Sequence, residues 1–349
     1  MIVSPVPRAG VLCAGTLLVD FGKVIDAYPS IDGLATIEQL SKSTGGSALN
    51  LAVDLCRLGA TFPVALLGTV ADDENGAYIL DACATAGIDV SRVRTEPGAV
   101  TASTDVMVER VGGRRTFFTY MGTNALLRVS AHDLETSQAR VLHVGNLGVH
   151  PHMDDRTADG GNGWSALLEA AQSSGMWTNM ELASFEAALL VELAGPCLPH
   201  LDSIVINELE AGALTGVDAP APDAAGQVDW PAMEAMALGL IERGVSALAV
   251  VHFPAGSVAA NAHGRVWRQG SVRVALADVR STNGAGDAFA AGVVLGVHEG
   301  WPVEACLRLG AATAAACIRS TRTSDGIGAA ADCLTGADRL GYRPTDGPG

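Results

Sequence analysis

Short apolar runs alternate with helix-length amphipathic segments over most of the chain. The apolar runs predict buried strands at 11–16, 64–67, 141–144, 203–206 and 247–251. The amphipathic segments predict helices at 47–58, 76–86, 164–172, 210–215, 231–243 and 287–299. Strands that are buried on both faces are typical of parallel sheets covered by helices. The pattern therefore predicts an α/β fold, with a doubly wound, mainly parallel sheet between helical layers.

Two further stretches, 21–37 and 102–120, alternate with the period of a strand. The second contains Gly112-Gly113, a pair that favours a hairpin turn. The parallel sheet does not use these stretches, so they form either a small β lid over it or an extension of its edge. We expect a lid. Surface loops are predicted at 150–163 and 217–228 because both segments are polar or rich in alanine and proline.

Composition narrows the classes of function. The chain has 349 residues, of which 48% are hydrophobic, and a formal net charge of −16. An acidic protein of this kind lacks the basic face that nucleic acids require, so any bound anion should be small. Seven cysteines without a C-x-x-C pair indicate reduced core thiols. With no signal-peptide pattern and no apolar run of roughly 18 residues, a cytoplasmic protein without a membrane partner is expected.

The segment 281–289 has the pattern of a loop that leads into a helix at a phosphate site. Its glycines allow the backbone N–H groups of Gly284, Ala285 and Gly286 to point into a common space at the positive end of the helix dipole. This arrangement predicts an anion hole. Asp287 would repel a bound phosphate, so its position suggests a general base that takes the proton of an attacking hydroxyl.

A simpler interpretation of Asp287 is an acidic residue in the first turn of a helix, where such residues are common. Two frequent phosphate motifs are excluded in this segment. The Lys-Ser/Thr pair of a P-loop is missing, and Phe289 stands where G-x-G-x-x-G would need a glycine.

A motif early in the chain and the segment 281–289 together make the sequence resemble a known protein family. The early motif is Gly45-Gly46-Ser47-Ala48-Leu49-Asn50, and the late motif is Asn283-Gly284-Ala285-Gly286-Asp287. Together they resemble the ribokinase-like (PfkB) carbohydrate kinases, over roughly residues 10 to 335. Gly122-Thr123-Asn124 and Asn207-Glu208-Leu209-Glu210 follow in the family's order.

The resemblance implies a kinase domain at 1–340 with the β lid inserted and a tail at 341–349. It implies transfer of the γ-phosphate of ATP to a hydroxymethyl group of a sugar or sugar-like substrate, with Mg²⁺ and a monovalent cation as further candidate cofactors. A nucleoside kinase of the same fold and a catalytically silent sugar- or nucleotide-binding regulator are alternatives. Retention of Asp287 argues against a silent protein. A homodimer through the lid would cover Phe117, Phe118 and Tyr120.

The resemblance also assigns site residues. Asp20, at the end of the first strand, and Asn50 would bind substrate hydroxyls, and Gly46 would let the substrate approach the backbone. Asn207 and Glu210 would orient water on Mg²⁺, although the same pair also forms a good helix capping box. Segment 250–256 stands in the place of the family's nucleotide-binding loop. Gly256 is the one glycine of that loop's pattern that this segment clearly keeps. No side chain is assigned as a direct metal ligand.

Several positions depart from the family pattern. Ser281 replaces the usual acidic residue and Asn283 replaces the usual threonine, which changes the surroundings of the phosphate and of an adjacent cation. Leu18 and Ser47 stand at positions where the resemblance to ribokinase implies an asparagine and a lysine. Both losses remove polar groups from the sugar side, so ribose is not the expected substrate.

Overall fold

The computed structural model describes residues 8–111, 114–183, 185–218, 228–320 and 324–345. The strands are β1 Val11–Gly15, β2 Leu18–Ile25, β3 Ile37–Gly45, β4 Val64–Ala71, β5 Asp89–Glu96, β6 Ser103–Glu109, β7 Arg115–Tyr120, β8 Val141–Gly145, β9 Trp177–Met180, β10 Ser203–Asn207, β11 Leu248–Phe253, β12 Gly256–Asn261 and β13 Val266–Gly270. The α-helices are α1 Ser47–Arg57, α2 Glu74–Ala86, α3 Pro151–Asp154, α4 Gly163–Ser173, α5 Ala187–Ala194, α6 Glu208–Thr215, α7 Trp230–Glu242, α8 Ala285–His298, α9 Val303–Ile318 and α10 Ala330–Leu340.

Nine strands form the main sheet, in the order β13-β12-β11-β10-β9-β8-β1-β4-β5. The strands from β11 to β5 run parallel, and β12 and β13 add an antiparallel edge. One core cluster packs α1, α2, α8, α9 and α10 on one face of the sheet, and a second packs α4 to α7 on the other. The predicted doubly wound α/β fold is confirmed.

The lid is a separate sheet of four strands in the order β3-β2-β6-β7. It is mixed, because β2 and β6 are parallel while the outer pairs are antiparallel. The expected extent of its first part, 21–37, was wrong. The strands there are β2 and β3, and residues 26–36 connect them, so the lid continues to Gly45. Gly112 and Gly113, between β6 and β7, lie outside the described residues.

The register of the lid assigns its side chains to two faces. Asp20 lies opposite Thr104, which lies opposite Thr119, and the two threonine Oγ1 atoms are 3.1 Å apart. Because side chains alternate along a strand, Phe117 and Arg115 share this face. We call it the inner face, because it carries Asp20. In the described part of the lid, the outer face includes the exposed apolar side chains of Leu40, Phe118 and Tyr120.

The predicted loop at 150–163 is partly ordered structure instead. It contains the short helix α3, and His150 before it is fully buried. The His150 Nε2 lies 3.0 Å from Thr16 Oγ1, and Nδ1 lies 2.9 Å from the Asn124 carbonyl oxygen. The other predicted loop, 217–228, falls mostly outside the described residues. In the described ranges, no helix is long and apolar enough to cross a membrane.

Candidate active site

The first turn of α8 presents backbone N–H groups at the start of a long helix. Gly284 is the N-cap residue, with a φ of 76° in the left-handed region, which favours glycine. Within the described residues, no backbone oxygen accepts a hydrogen bond from the N–H of Gly284, Gly286 or Asp287. These N–H groups are therefore available to an anion, at the positive end of the helix dipole. Of the anion hole expected at Gly284, Ala285 and Gly286, the structure leaves the first and third N–H groups free in the part of the chain that it describes, while the Ala285 N–H donates to the Thr282 carbonyl oxygen at 3.4 Å.

Asp287 is the third residue of α8 and is held by two partners. The Asn50 side-chain amide donates a hydrogen bond of 2.7 Å to Asp287 Oδ2, and the Glu181 carboxyl forms a second hydrogen bond. Burial raises the pKa of Asp287, while both hydrogen bonds act to lower it. The carboxylate is thereby fixed in one orientation. Asn50 thus contacts Asp287, while its own Oδ1 has no partner among the described residues.

Glu181 is a site residue that the sequence did not reveal. It directly follows β9 and is only 4% exposed. Its pKa is raised well above the usual range, first by burial and then by the charge of Asp287. A hydrogen bond with Ser47 opposes this shift. Because these causes favour the neutral acid, Glu181 holds a proton and donates it in the hydrogen bond to Asp287.

Asp20 lies in the lid strand β2, and the expectation that it ends the first strand was wrong. Strand β1 of the main sheet ends at Gly15, and the next strand, which contains Asp20, belongs to the lid. Burial raises the pKa of Asp20 to about 7; a hydrogen bond from the Asn283 side chain opposes the shift, and the nearby Asp287 adds to it. Asn283, noted as a departure from the family pattern, therefore links the lid to the phosphate loop.

The two glycines of the early motif have packing reasons to be glycine. A Cβ on Gly45 would lie 2.6 Å from Asp20 Oδ2, so any larger residue would displace that carboxylate. Gly46 has a φ of 92°, and its Cβ would lie 2.3 Å from the Thr16 carbonyl oxygen. Gly46 is thus required by local packing, in addition to any approach of a substrate.

Asn207 and Glu210 form the capping box at the start of α6. Asn207 Oδ1 accepts from the Glu210 N–H at 2.9 Å, and Glu210 Oε2 accepts from the Asn207 N–H at 3.1 Å. Glu210 is buried, and its charge contributes to the raised pKa of Glu181. Glu181 Oε1 has no hydrogen-bond partner within the described ranges. Carboxylate and amide oxygens are the ligands that Mg²⁺ prefers in proteins, so the Glu210 carboxylate and the Asn207 amide have the chemistry to hold water on the metal.

A cavity of about 600 Å³ opens from this edge of the sheet towards β12. Its polar lining includes Asn207, Thr282 and Gly286, and Gly256, which the sequence assigned to nucleotide binding, lies on its wall. The remaining wall is largely apolar and includes Phe253, Val274, Leu276, Val279, Phe289 and Ile318. An apolar slot that ends at free helix N–H groups suits a base at one end and phosphates at the other. The sequence analysis singled out none of these apolar residues.

Comparison with known proteins identifies the family. The model of the pfkB family carbohydrate kinases matches residues 9–329. The chain belongs to the PfkB family of carbohydrate kinases. PfkB kinases use ATP and transfer a phosphoryl group to an alcohol, so the protein is a sugar kinase of this family.

Individual relatives are distant. The chain is 29% identical to a probable fructokinase-7 of Arabidopsis thaliana over 298 residues, which is 80% of this chain and 78% of that protein. The structure of Arabidopsis thaliana ribokinase complexed with ribose and ATP superposes with a TM-score of 0.76 at 19% identity, over 95% of this chain and 99% of that one. A Burkholderia thailandensis nucleoside kinase in complex with inosine gives a TM-score of 0.70 at 18% identity, over 96% and 100%. These structural similarities establish the PfkB fold.

Proposed function

We propose that the protein transfers the γ-phosphate of ATP to a hydroxymethyl group of a hexose, with Asp287 as the general base. One observation carries this proposal. Asp287 lies beside free N–H groups of α8 while hydrogen bonds from Asn50 and Glu181 hold its carboxylate. A base fixed next to an anion hole is what an attack by a hydroxyl on a phosphate requires.

The reaction follows from the positions of these groups. The Asp20 carboxylate and the buried Asn50 Oδ1, unpartnered among the described residues, would accept hydrogen bonds from sugar hydroxyls. Asp287 takes the proton of the reacting hydroxyl as its oxygen bonds to phosphorus and the bond to the ADP oxygen breaks. Glu181 keeps its own proton, so Asp287 remains the ionised member of the pair. The N–H groups at the start of α8 stabilise the charge on the transferred phosphoryl group.

Mg²⁺ would be held by Asn207 and Glu210 through water, and it would neutralise phosphate charge when bound. Replacing Glu210 with glutamine removes the charge but keeps the side-chain oxygen that caps α6. Activity should therefore fall about 10-fold or more at low Mg²⁺ and recover partly at high Mg²⁺. Initial rates over a Mg²⁺ titration measure this. A variant that melts at a lower temperature but has an unchanged Mg²⁺ dependence would assign Glu210 to capping alone.

The sugar side favours a hexose over ribose. Leu18 is buried and apolar, and the Ser47 hydroxyl donates a hydrogen bond of 2.8 Å to Asn146 Oδ1. Neither side chain therefore replaces the polar groups that the resemblance to ribokinase implies at these positions. The curated relatives over most of the chain are named fructokinases, which makes fructose the first candidate. Nucleoside kinases share the fold, so a nucleoside acceptor is the alternative.

A panel of acceptors tests the proposal directly. ADP formation from ATP and Mg²⁺ should be stimulated by fructose more than by ribose, glucose, adenosine or inosine. Preference for a nucleoside would replace the hexose assignment. ADP formation that no acceptor stimulates, from a protein that still binds sugar or nucleotide, would support a silent regulator.

We also propose that two copies pair through the outer face of the lid. Leu40, Phe118 and Tyr120 are 75%, 58% and 56% exposed there, an apolar surface that a second lid would cover. Phe117 is not part of this surface, because it lies on the inner face. Light scattering should give the mass of a dimer, and Leu40→Ser with Phe118→Ser should shift it to a monomer. Val191→Ser, at an exposed apolar position on α5, is the control.

A further inference from the structure

Arg115, the first residue of β7, reaches from the lid to the phosphate loop. Its guanidinium donates a hydrogen bond to Thr282 Oγ1, and the side chain is half-buried. No carboxylate among the described residues lies within ion-pair distance of it. Burial lowers the pKa of Arg115 from its usual value, but an arginine remains charged at neutral pH. A partly desolvated cation without an acidic partner suggests that it binds an anion.

The position of Arg115 indicates which anion. Thr282 lines the nucleotide cavity, while the next residue, Asn283, hydrogen-bonds Asp20 on the sugar side. Arg115 and Asp20 share the inner face of the lid. The guanidinium therefore lies at the junction of the two substrate sites. In a kinase this junction holds the phosphoryl group that is transferred.

We propose that Arg115 binds the γ-phosphate of ATP, exchanging its hydrogen bond with Thr282 for one with a phosphate oxygen. The anion hole supplies only neutral N–H groups, whereas the Asp20 and Asp287 carboxylates are acidic, so a cation at this point offsets their repulsion of ATP. The planar guanidinium can also donate two parallel hydrogen bonds to one phosphate. The proposal rests on phosphoryl transfer as the reaction but does not depend on which sugar accepts the phosphate.

Nucleotide binding without sugar tests this role apart from activity. Isothermal titration calorimetry with Mg²⁺ compares ADP with the non-hydrolysable analogue in which nitrogen bridges the β- and γ-phosphates. Arg115→Ala should bind the analogue about 10-fold or more weakly and ADP within about twofold of the wild type, because only the analogue has a γ-phosphate. Arg115→Lys should have an intermediate affinity for the analogue, because lysine keeps the charge but cannot donate two parallel hydrogen bonds to one phosphate. The kcat of Arg115→Ala should fall about 10²-fold.

Arg114→Ala is the matched control. It removes the same charge one residue earlier, but Arg114 is exposed and pairs with Glu109, with 2.8 Å between Nε and Oε2. If Arg115→Ala weakened the binding of ADP and of the analogue equally, or had the same effects as Arg114→Ala, the proposed role of Arg115 would be overturned while the proposed function would stand. A loss confined to the KM of the sugar would overturn it as well. A wild-type protein that bound neither nucleotide would overturn the proposed function together with this role.

Discussion

Replacing Asp287 with asparagine is expected to lower turnover by about 10²–10⁴-fold, the range that a positioned general base contributes. Asparagine is nearly isosteric with aspartate, and its side-chain oxygen can accept from Asn50 while its NH₂ group donates to the carbonyl oxygen of the Glu181 carboxyl, but the proton acceptor is lost. Steady-state ADP formation measures the effect. Affinity for ATP should stay equal to that of the wild type or rise, because Asp287 faces the hydroxyl and its charge repels phosphate.

The same variant should not lose stability. Burial raises the pKa of Asp287, which means that the ionised carboxylate is held at a cost in the folded protein. A neutral amide removes that cost, so the melting temperature of Asp287→Asn should equal or exceed that of the wild type. Asp332→Asn, in the first turn of α10, is the control for removing a charge near a helix start. Unchanged turnover in Asp287→Asn would refute the base, and a large loss of stability would indicate a structural role.

The sequence predicted the central strands of the sheet because they are buried on both faces. Continuous apolar runs mark β1, β4, β8, β10 and β11, and each begins within a residue of its expected start. The polar edge strand β5 and the four-residue β9 lack such a run and were missed. Helix α9 was missed for the opposite reason. It is rich in alanine and buried over most of its surface, so it has no strong apolar stripe.

The sequence marks individual candidate residues of the site, but it does not show which of them pair. Asp20, Asn50 and Asp287 stand in short motifs whose chemistry can be recognised from the sequence. The bonds from Asn50 to Asp287 and from Asn283 to Asp20 join parts of the chain more than two hundred residues apart. No local pattern shows such bonds. Glu181 stands alone between apolar residues, and it becomes a partner of Asp287 only because β9 lies at the centre of the sheet.

Removing the Asp20 carboxylate should be the largest change on the sugar side. Asp20→Ala is expected to lower kcat/KM for the sugar by about 10²–10⁴-fold, because an ionised carboxylate can accept two hydroxyl hydrogen bonds, each worth about 1.5–3 kcal/mol. The effect should fall mainly on KM, since Asp20 holds the substrate and does not move a proton. Kinetics at saturating ATP separate the two constants. Asp105→Ala, on the outer face of the same sheet, is the control, because Asp105 pairs with Lys23 rather than with the phosphate loop.

The pH dependence of kcat/KM provides a second test of Asp20. Its pKa is raised to about 7, so the carboxylate is ionised above that pH and becomes protonated below it. The wild-type kcat/KM should therefore fall as the pH drops through about 7. This acidic limb of the pH profile should be absent in Asp20→Asn. Asn283→Ala should move the limb to higher pH, because the Asn283 hydrogen bond lowers the pKa of Asp20. A limb that remains in place in both variants would belong to another group, and then Asp20 would not bind the sugar as an ionised carboxylate.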